Sequence, residues 1–161
     1  MKTIIKITIV FAAISMVSFN TYAQKNKDIP QAILTSFSYK YPQAQLKNWE
    51  EKKSTYVASF VMQDKKYQAY YSKDGNWLNT ESKIKRTSDL PADMRSYLKT
   101  STYASWKIDE MKRVHTPTQD MYQVHLDNHG GNSLRYEDAI SAEDRLLSFD
   151  DNGKLINVKV L

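Results

Sequence analysis

The chain writes one short pattern twice. "SDLPADMRSYL" at 88–98 follows the plan of "KDIPQAILTSF" at 27–37: an Asp, an apolar residue, a Pro, then an amphipathic run. A supersecondary unit used twice fixes the architecture before any single side chain is interpreted. In each copy Asp28 or Asp89 is expected to cap a helix whose first turn tolerates Pro30 or Pro91. Ile29, Ile33 and Phe37, with Leu34 and Tyr41 alongside, then recur at helical spacing, as do Leu90, Met94, Tyr97 and Leu98. Both segments read as helices with one apolar side. The first must end before Pro42, because the residue ahead of a proline is pushed out of the helical region.

After each helix the apolar period drops to two. "TYVASFVMQ" at 55–63 puts Tyr56, Ala58, Phe60 and Met62 on one face and Val57, Ser59 and Val61 on the other. "MYQVHLD" at 121–127 sets Tyr122, Val124 and Leu126 against Gln123 and His125. Further strands follow at 65–72 and 76–84, and at 145–150 and 154–161, each pair joined by a turn that carries Gly75 or Gly153. The second copy is longer: 128–144 holds a loop, "DNHGGN", and a candidate strand, "SLRYEDAIS". The join near 84–88 is short and lacks a Pro/Gly/Ser tract, so the copies are expected to share a sheet. The fold class is therefore α+β: two tandem helix-plus-antiparallel-meander units, 24–87 and 88–161, forming one continuous sheet with helices on one face. The other face is left open, and its edge is a place where a second copy could pair, so the chain is expected to be a monomer or a weak homo-oligomer.

Residues 1–23 fit neither unit. Lys2 and Lys6 precede an apolar run from Ile7 to Val17, and Thr21-Tyr22-Ala23 supplies the small residues read by a signal peptidase. The run is shorter than the ~20 residues needed to span a bilayer. These residues read as a secretory signal peptide cleaved between Ala23 and Gln24, with no Cys to accept a lipid and no membrane insertion afterwards. The location is periplasmic or secreted. The absence of cysteine excludes thiol catalysis and thiolate metal sites. Two of the 23 basic residues lie in that segment, so the remainder only modestly exceed the 18 acidic ones. So mild and mixed a charge gives no reason to expect a nucleic-acid partner.

Chemical motifs are sparse. His125 and His129 are four apart, a spacing that converges on a helix, yet His125 falls in a strand and His129 in a Gly-rich loop. Zinc would need a third ligand such as Asp120 or Asp127, and no site is expected there or at His115. "DDNG" at 150–153 has the look of a calcium loop, but no Glu follows to close it, and "SKDGN" at 72–76 offers fewer ligands still. Asp-Gly and Asn-Gly are instead hairpin turns, in which Gly takes the positive φ. No nucleophile elbow, metalloprotease helix or Ser-x-x-Lys occurs, and Glu50-Glu51 and Asp150-Asp151 are adjacent rather than convergent pairs. Neither catalysis nor a cofactor is expected.

"DIPQAI…YP…W…YVASF…KKYQAYYSKDGNWL", followed by "SDLPADM…Y…VHTPTQDMYQVHL…LLSFDDNGKLI", resembles the PepSY-like family of exported bacterial proteins, grouped by fold with β-lactamase inhibitor proteins. The resemblance spans 28–161 and implies a helix-plus-four-strand unit used twice, an envelope location and no catalytic residues. It also implies binding of an envelope or secreted protein, of β-lactamase or peptidase type, through the open sheet face. The chain departs from the family in its longer second copy and in Met111, which stands where the first copy has Trp49. The candidate binding residues are Val57, Ser59, Val61, Gln68, Tyr70, Gln123, His125 and Arg135. Aromatics and Arg carry most of the energy in protein recognition. The alternative is a small-ligand or cell-wall-associated sensor that uses the aromatics as a stacking surface.

Overall fold

The structure is a computed structural model that describes residues 29–128 and 144–161. Helix α1 (Gln31–Lys40) precedes strands β1 (Gln45–Lys52), β2 (Thr55–Met62), β3 (Lys65–Ser72) and β4 (Trp77–Lys83). A 3-10 turn at Thr87–Asp89 leads to α2 (Ala92–Thr100), then to β5 (Lys107–His115), β6 (Asp120–Asp127), β7 (Asp144–Asp150) and β8 (Leu155–Val160). All eight strands form one antiparallel sheet in chain order, β1 to β8. The chain is thus α+β, with a single open sheet and two helices among the described residues. The loop and strand expected within 128–144 fall on 129–143, outside the described residues, as do residues 1–28 with Asp28, and also His129 and Arg135.

Each helix is held by an apolar cluster on one side of the sheet. Ile33 and Phe37 of α1 pack on Trp49, Tyr56, Ala58, Phe60, Ala69 and Tyr71. The Phe37 ring meets Phe60 and Trp49 edge-on, with centroids 5.3 and 5.5 Å away, a favoured aromatic arrangement. Leu90, Met94 and Leu98 pack on Met111, Val124, Leu126, Leu147 and Phe149 in a second, separate cluster.

Helix α2 is not capped as the sequence suggested, and the cap expected of Asp28 lies outside the described residues. Pro30 and Pro91 occupy the N-cap positions and supply no side-chain cap. Asp89 lies in the 3-10 turn and pairs with Arg86 at 3.2 Å. Proline at this point presets the entry angle, and the chain arrives extended rather than curling back for a side-chain cap.

The turns at Gly75 and Gly153 are four-residue connections, 73–76 and 151–154, rather than two-residue hairpins. Only the glycine of each has positive φ, +87° and +92°. Asp150 Oδ1 accepts the backbone N–H groups of Asn152 and Lys154 at 3.0 and 2.9 Å. Ser72 Oγ accepts that of Asn76 at 3.2 Å. The acidic character of "DDNG" therefore serves the turn itself, and Asp151 pairs with Arg113 at 2.9 Å.

Candidate functional site

Both helices lie over the same side of the sheet, so among the described residues no element covers the opposite side. Alternation decides what it displays. Tyr56, Ala58 and Phe60 face α1, so Val57, Ser59 and Val61 face away. The β2–β3 register sets Val57 opposite Tyr70, Ser59 opposite Gln68 and Val61 opposite Lys66. On β6, Val124 and Leu126 face α2, which leaves Gln123 and His125 on the open side, opposite Lys112 and Glu110. Seven of the eight candidate residues thus share one face, and Arg135 lies outside the described residues.

Two valines on this face are fully covered although no helix reaches them. Val57, 0% exposed, lies between Glu50 and Tyr70, and Val114, 3% exposed, lies between Glu81 and Met121. The longer flanking side chains shield them, so the face has an apolar floor under a polar surface.

A polar chain crosses the middle of this face, from β3 to β5. The Tyr70 hydroxyl lies 3.4 Å from Gln68 Oε1 and 3.5 Å from Glu81 Oε2. Glu81 Oε2 accepts from Lys112 Nζ at 3.0 Å in a pair whose side chains are 19% and 23% exposed. Burial and the Glu81 carboxylate push the Tyr70 phenol up to about 12. Tyr70 is a neutral donor at any ordinary pH.

Beside this chain is a groove of about 550 Å³ lined by Ser59, Val61 and Gln68, with Lys47, Lys66 and Lys83 among its charged groups. Lys83 reaches Glu110 at 3.8 Å, and Lys112 is held by Glu81, so the groove carries more positive than negative charge. A smaller hollow of about 180 Å³ holds Gln123, His125, Leu146 and Leu161. Glu110 and Lys112 line both, so β5 forms the divide between them. No described cavity is lined by Tyr70 and His125 together. His125 lies between two carboxylates, Nδ1 at 3.4 Å from Asp109 and Nε2 at 3.3 Å from Asp144. His115 bonds Asp120 at 2.7 Å and faces the helix side, so the two described histidines point away from each other.

Sequence reasoning missed Lys47, Glu81, Glu110 and Lys112. Three of the four lie on β1 and β5, strands that the alternation rule does not reveal. It also missed a cleft of about 510 Å³ on the helix side, between the two clusters, where Tyr41, Tyr67 and Trp77 line the wall. There Thr80, only 2% exposed, accepts from Trp77 Nε1 at 2.8 Å and bonds the Tyr41 hydroxyl. No helix in the described residues is long and apolar enough to cross a membrane.

The same architecture occurs in solved structures. A BLIP-like protein of Bacteroides fragilis superposes with a TM-score of 0.65 at 23% identity, over 82% of this chain and 86% of that one. A DUF2874 family protein of Bacteroides uniformis gives 0.65 at 18% identity, over 81% and 88%. A protein of Bacteroides eggerthii described as periplasmic gives 0.62 at 17%, over 81% and 88%. At such identities the likeness is one of fold. The chain matches no curated protein. The family model for β-lactamase-inhibitor-like, PepSY-like proteins matches it twice, over residues 15–62 and 54–157. With these two matches over most of its length, and an eight-stranded sheet with two helices on one side among the described residues, the chain belongs to the PepSY-like family.

Proposed function

We propose that the protein is an exported, non-enzymatic binding module that docks its open sheet face on a secreted or envelope protein of peptidase or β-lactamase type and occludes it. The observation that carries this reading is the bare face itself. Among the described residues it runs across eight strands with no element over it, has a covered apolar floor at Val57 and Val114, and bears polar groups held in place by ion pairs. Broad faces with an apolar floor and a polar rim suit protein partners. The fold shared with a BLIP-like protein agrees with such a role.

The molecule is read as two tandem units. In support, a helix and four strands occur in the same order twice among the described residues. Trp49 and Met111 hold equivalent places, each buried on the first strand of its half beside a bulge. The leader-like sequence of residues 1–23 supports a periplasmic or secreted location, as does the description of the Bacteroides eggerthii relative.

The test is inhibition and surface binding against a panel of purified class A β-lactamases and secreted peptidases. The wild type is compared with Tyr70→Ala/His125→Ala and with Ser59→Trp, which fills the groove. The expected result is a target bound by the wild type and weakened at least tenfold by both variants. Equal binding of every target by all three proteins would overturn the assignment to this face.

One observation favours a second reading, a small-ligand sensor. The helix-side cleft has ligand-sized volume and three aromatic rings. Thermal-shift titration with cell-wall saccharides, repeated on Trp77→Ala, separates the two: stabilisation that depends on Trp77 supports the cleft.

A further inference from the structure

An open sheet has two edges, and in this molecule they differ. The β1 edge, "QLKNWEEK", carries Lys47, Glu50, Glu51 and Lys52 and is broken by a bulge after Leu46. Charges and bulges are the usual guards against strand addition. The β8 edge, "LINVKV", carries one charge, Lys159. Its bulge lies at the turn end, opposite Ser148 and Phe149, and from Asn157 to Val160 the register with β7 is regular. Ile156, Val160 and Leu161 are 51%, 61% and 59% exposed, three of the five large apolar side chains exposed among the described residues. No described strand pairs with the outer side of β8.

The sequence of this edge indicates what would pair there. From Ile156 to Val160 it is a palindrome in chemical character about Val158: Ile156 mirrors Val160, and Asn157 mirrors Lys159, while Leu155 lies beyond the bulge. In an antiparallel pair of identical strands centred on one residue, each side chain meets its mirror image. Centred on Val158, apolar would meet apolar at every such position, and each Lys159 would meet Asn157 instead of the other Lys159. Opposite side chains are the unit of sheet stabilisation, and like charges directly opposed weaken it.

We infer that β8 pairs antiparallel with β8 of a second copy, in the register centred on Val158. The two-fold axis stands perpendicular to the sheet, so both pairs of helices stay on one side and both open faces on the other. Such an interface is isologous and closes at the dimer. A β1-to-β8 contact would be head-to-tail and open-ended, and the charges of β1 oppose it. The pairing leaves Tyr70, Glu81 and Lys112 untouched, so it stands or falls independently of the face reading.

The chain contains no cysteine, which makes the register directly testable. Facing residues in antiparallel strands have Cα atoms about 4.5–5.5 Å apart, within disulfide reach. Val158→Cys should oxidise to a covalent dimer. Asn157→Cys and Lys159→Cys singly should not, whereas the double variant should. Sedimentation equilibrium should give a dimer for the wild type and a monomer for Ile156→Lys/Val160→Lys, with circular dichroism unchanged because both sites are more than half exposed. A wild type that stays monomeric into the millimolar range would overturn the inference. So would a dimer indifferent to the two lysines, or one crosslinked by Asn157→Cys alone. If Val158→Cys does not fold, the Asn157→Cys/Lys159→Cys double variant reads the same register.

Discussion

Tyr70 and Tyr71 are neighbours on β3 with opposite fates. Tyr71 is fully buried under α1, and its hydroxyl has no hydrogen-bond partner in the described residues, while Tyr70 stands on the open face beside Glu81. Burial raises both phenols above the ordinary value of 10.0, Tyr70 to about 12 with the Glu81 charge adding to the effect, and Tyr71 further. Above pH 10 the unfolded chain gives up these protons and the folded chain keeps them. Stability is therefore complete below pH 10 and declines as pH rises through the folded values. Urea midpoints taken just below pH 10 and near pH 12 should show this fall, and Tyr70→Phe/Tyr71→Phe should flatten it. An equally steep fall in the double variant would refute the assignment. Strict alternation made the face of Tyr70, Gln68 and Val57 legible in the sequence. Their partners Glu81 and Lys112 were not legible, because only the β4–β5 register brings them together.

At the scale of elements, the same irregularity hid two strands. In β1 a bulge after Leu46 brings Leu46 and Trp49, three apart, to the same core, and in β5 a bulge after Ile108 does the same for Ile108 and Met111. One extra residue destroys the period of two on which strand recognition rests. The remaining six strands, which alternate more cleanly, were legible, as were both helices but not the start of α2, where Asp89 lies in a 3-10 turn. The two glycine turns show how helix and hairpin depend on each other. A Cβ on Gly75 would lie 3.1 Å from Ala32 Cβ, and one on Gly153 would lie 3.0 Å from Pro91 Cβ and 3.1 Å from Met94 Cγ. Each turn backs on the first turn of its helix, and positive φ adds strain for any other residue. Gly75→Ala and Gly153→Ala should each cost about 1–3 kcal/mol in urea unfolding. A loss well below that range would mean that the turn can withdraw from the helix.

At the scale of the whole molecule, the two apolar clusters of the described residues share no side chain and are joined by the sheet. Between them, β4 and β5 pair from Thr80↔His115 to Lys83↔Lys112, whereas β2 and β3 pair along their full length. Phe37→Ala should cost about 3–5 kcal/mol, as large core truncations do. Hydrogen exchange should place that loss in β1 to β4 and leave β5 to β8 protected. Uniform loss across all eight strands would show that the seam couples the halves fully. The order of the sheet has a kinetic consequence as well. Because the described strands follow chain order from β1 to β8, each pairs with the strand just before or after it in the chain, and no strand must wait for a distant one. Loop closure between such neighbours is cheap, and chains dominated by local pairings fold fast for their class. A protein built this way can assemble hairpin by hairpin from its N-terminal end, so that little bare strand is exposed while the rest of the chain is still arriving.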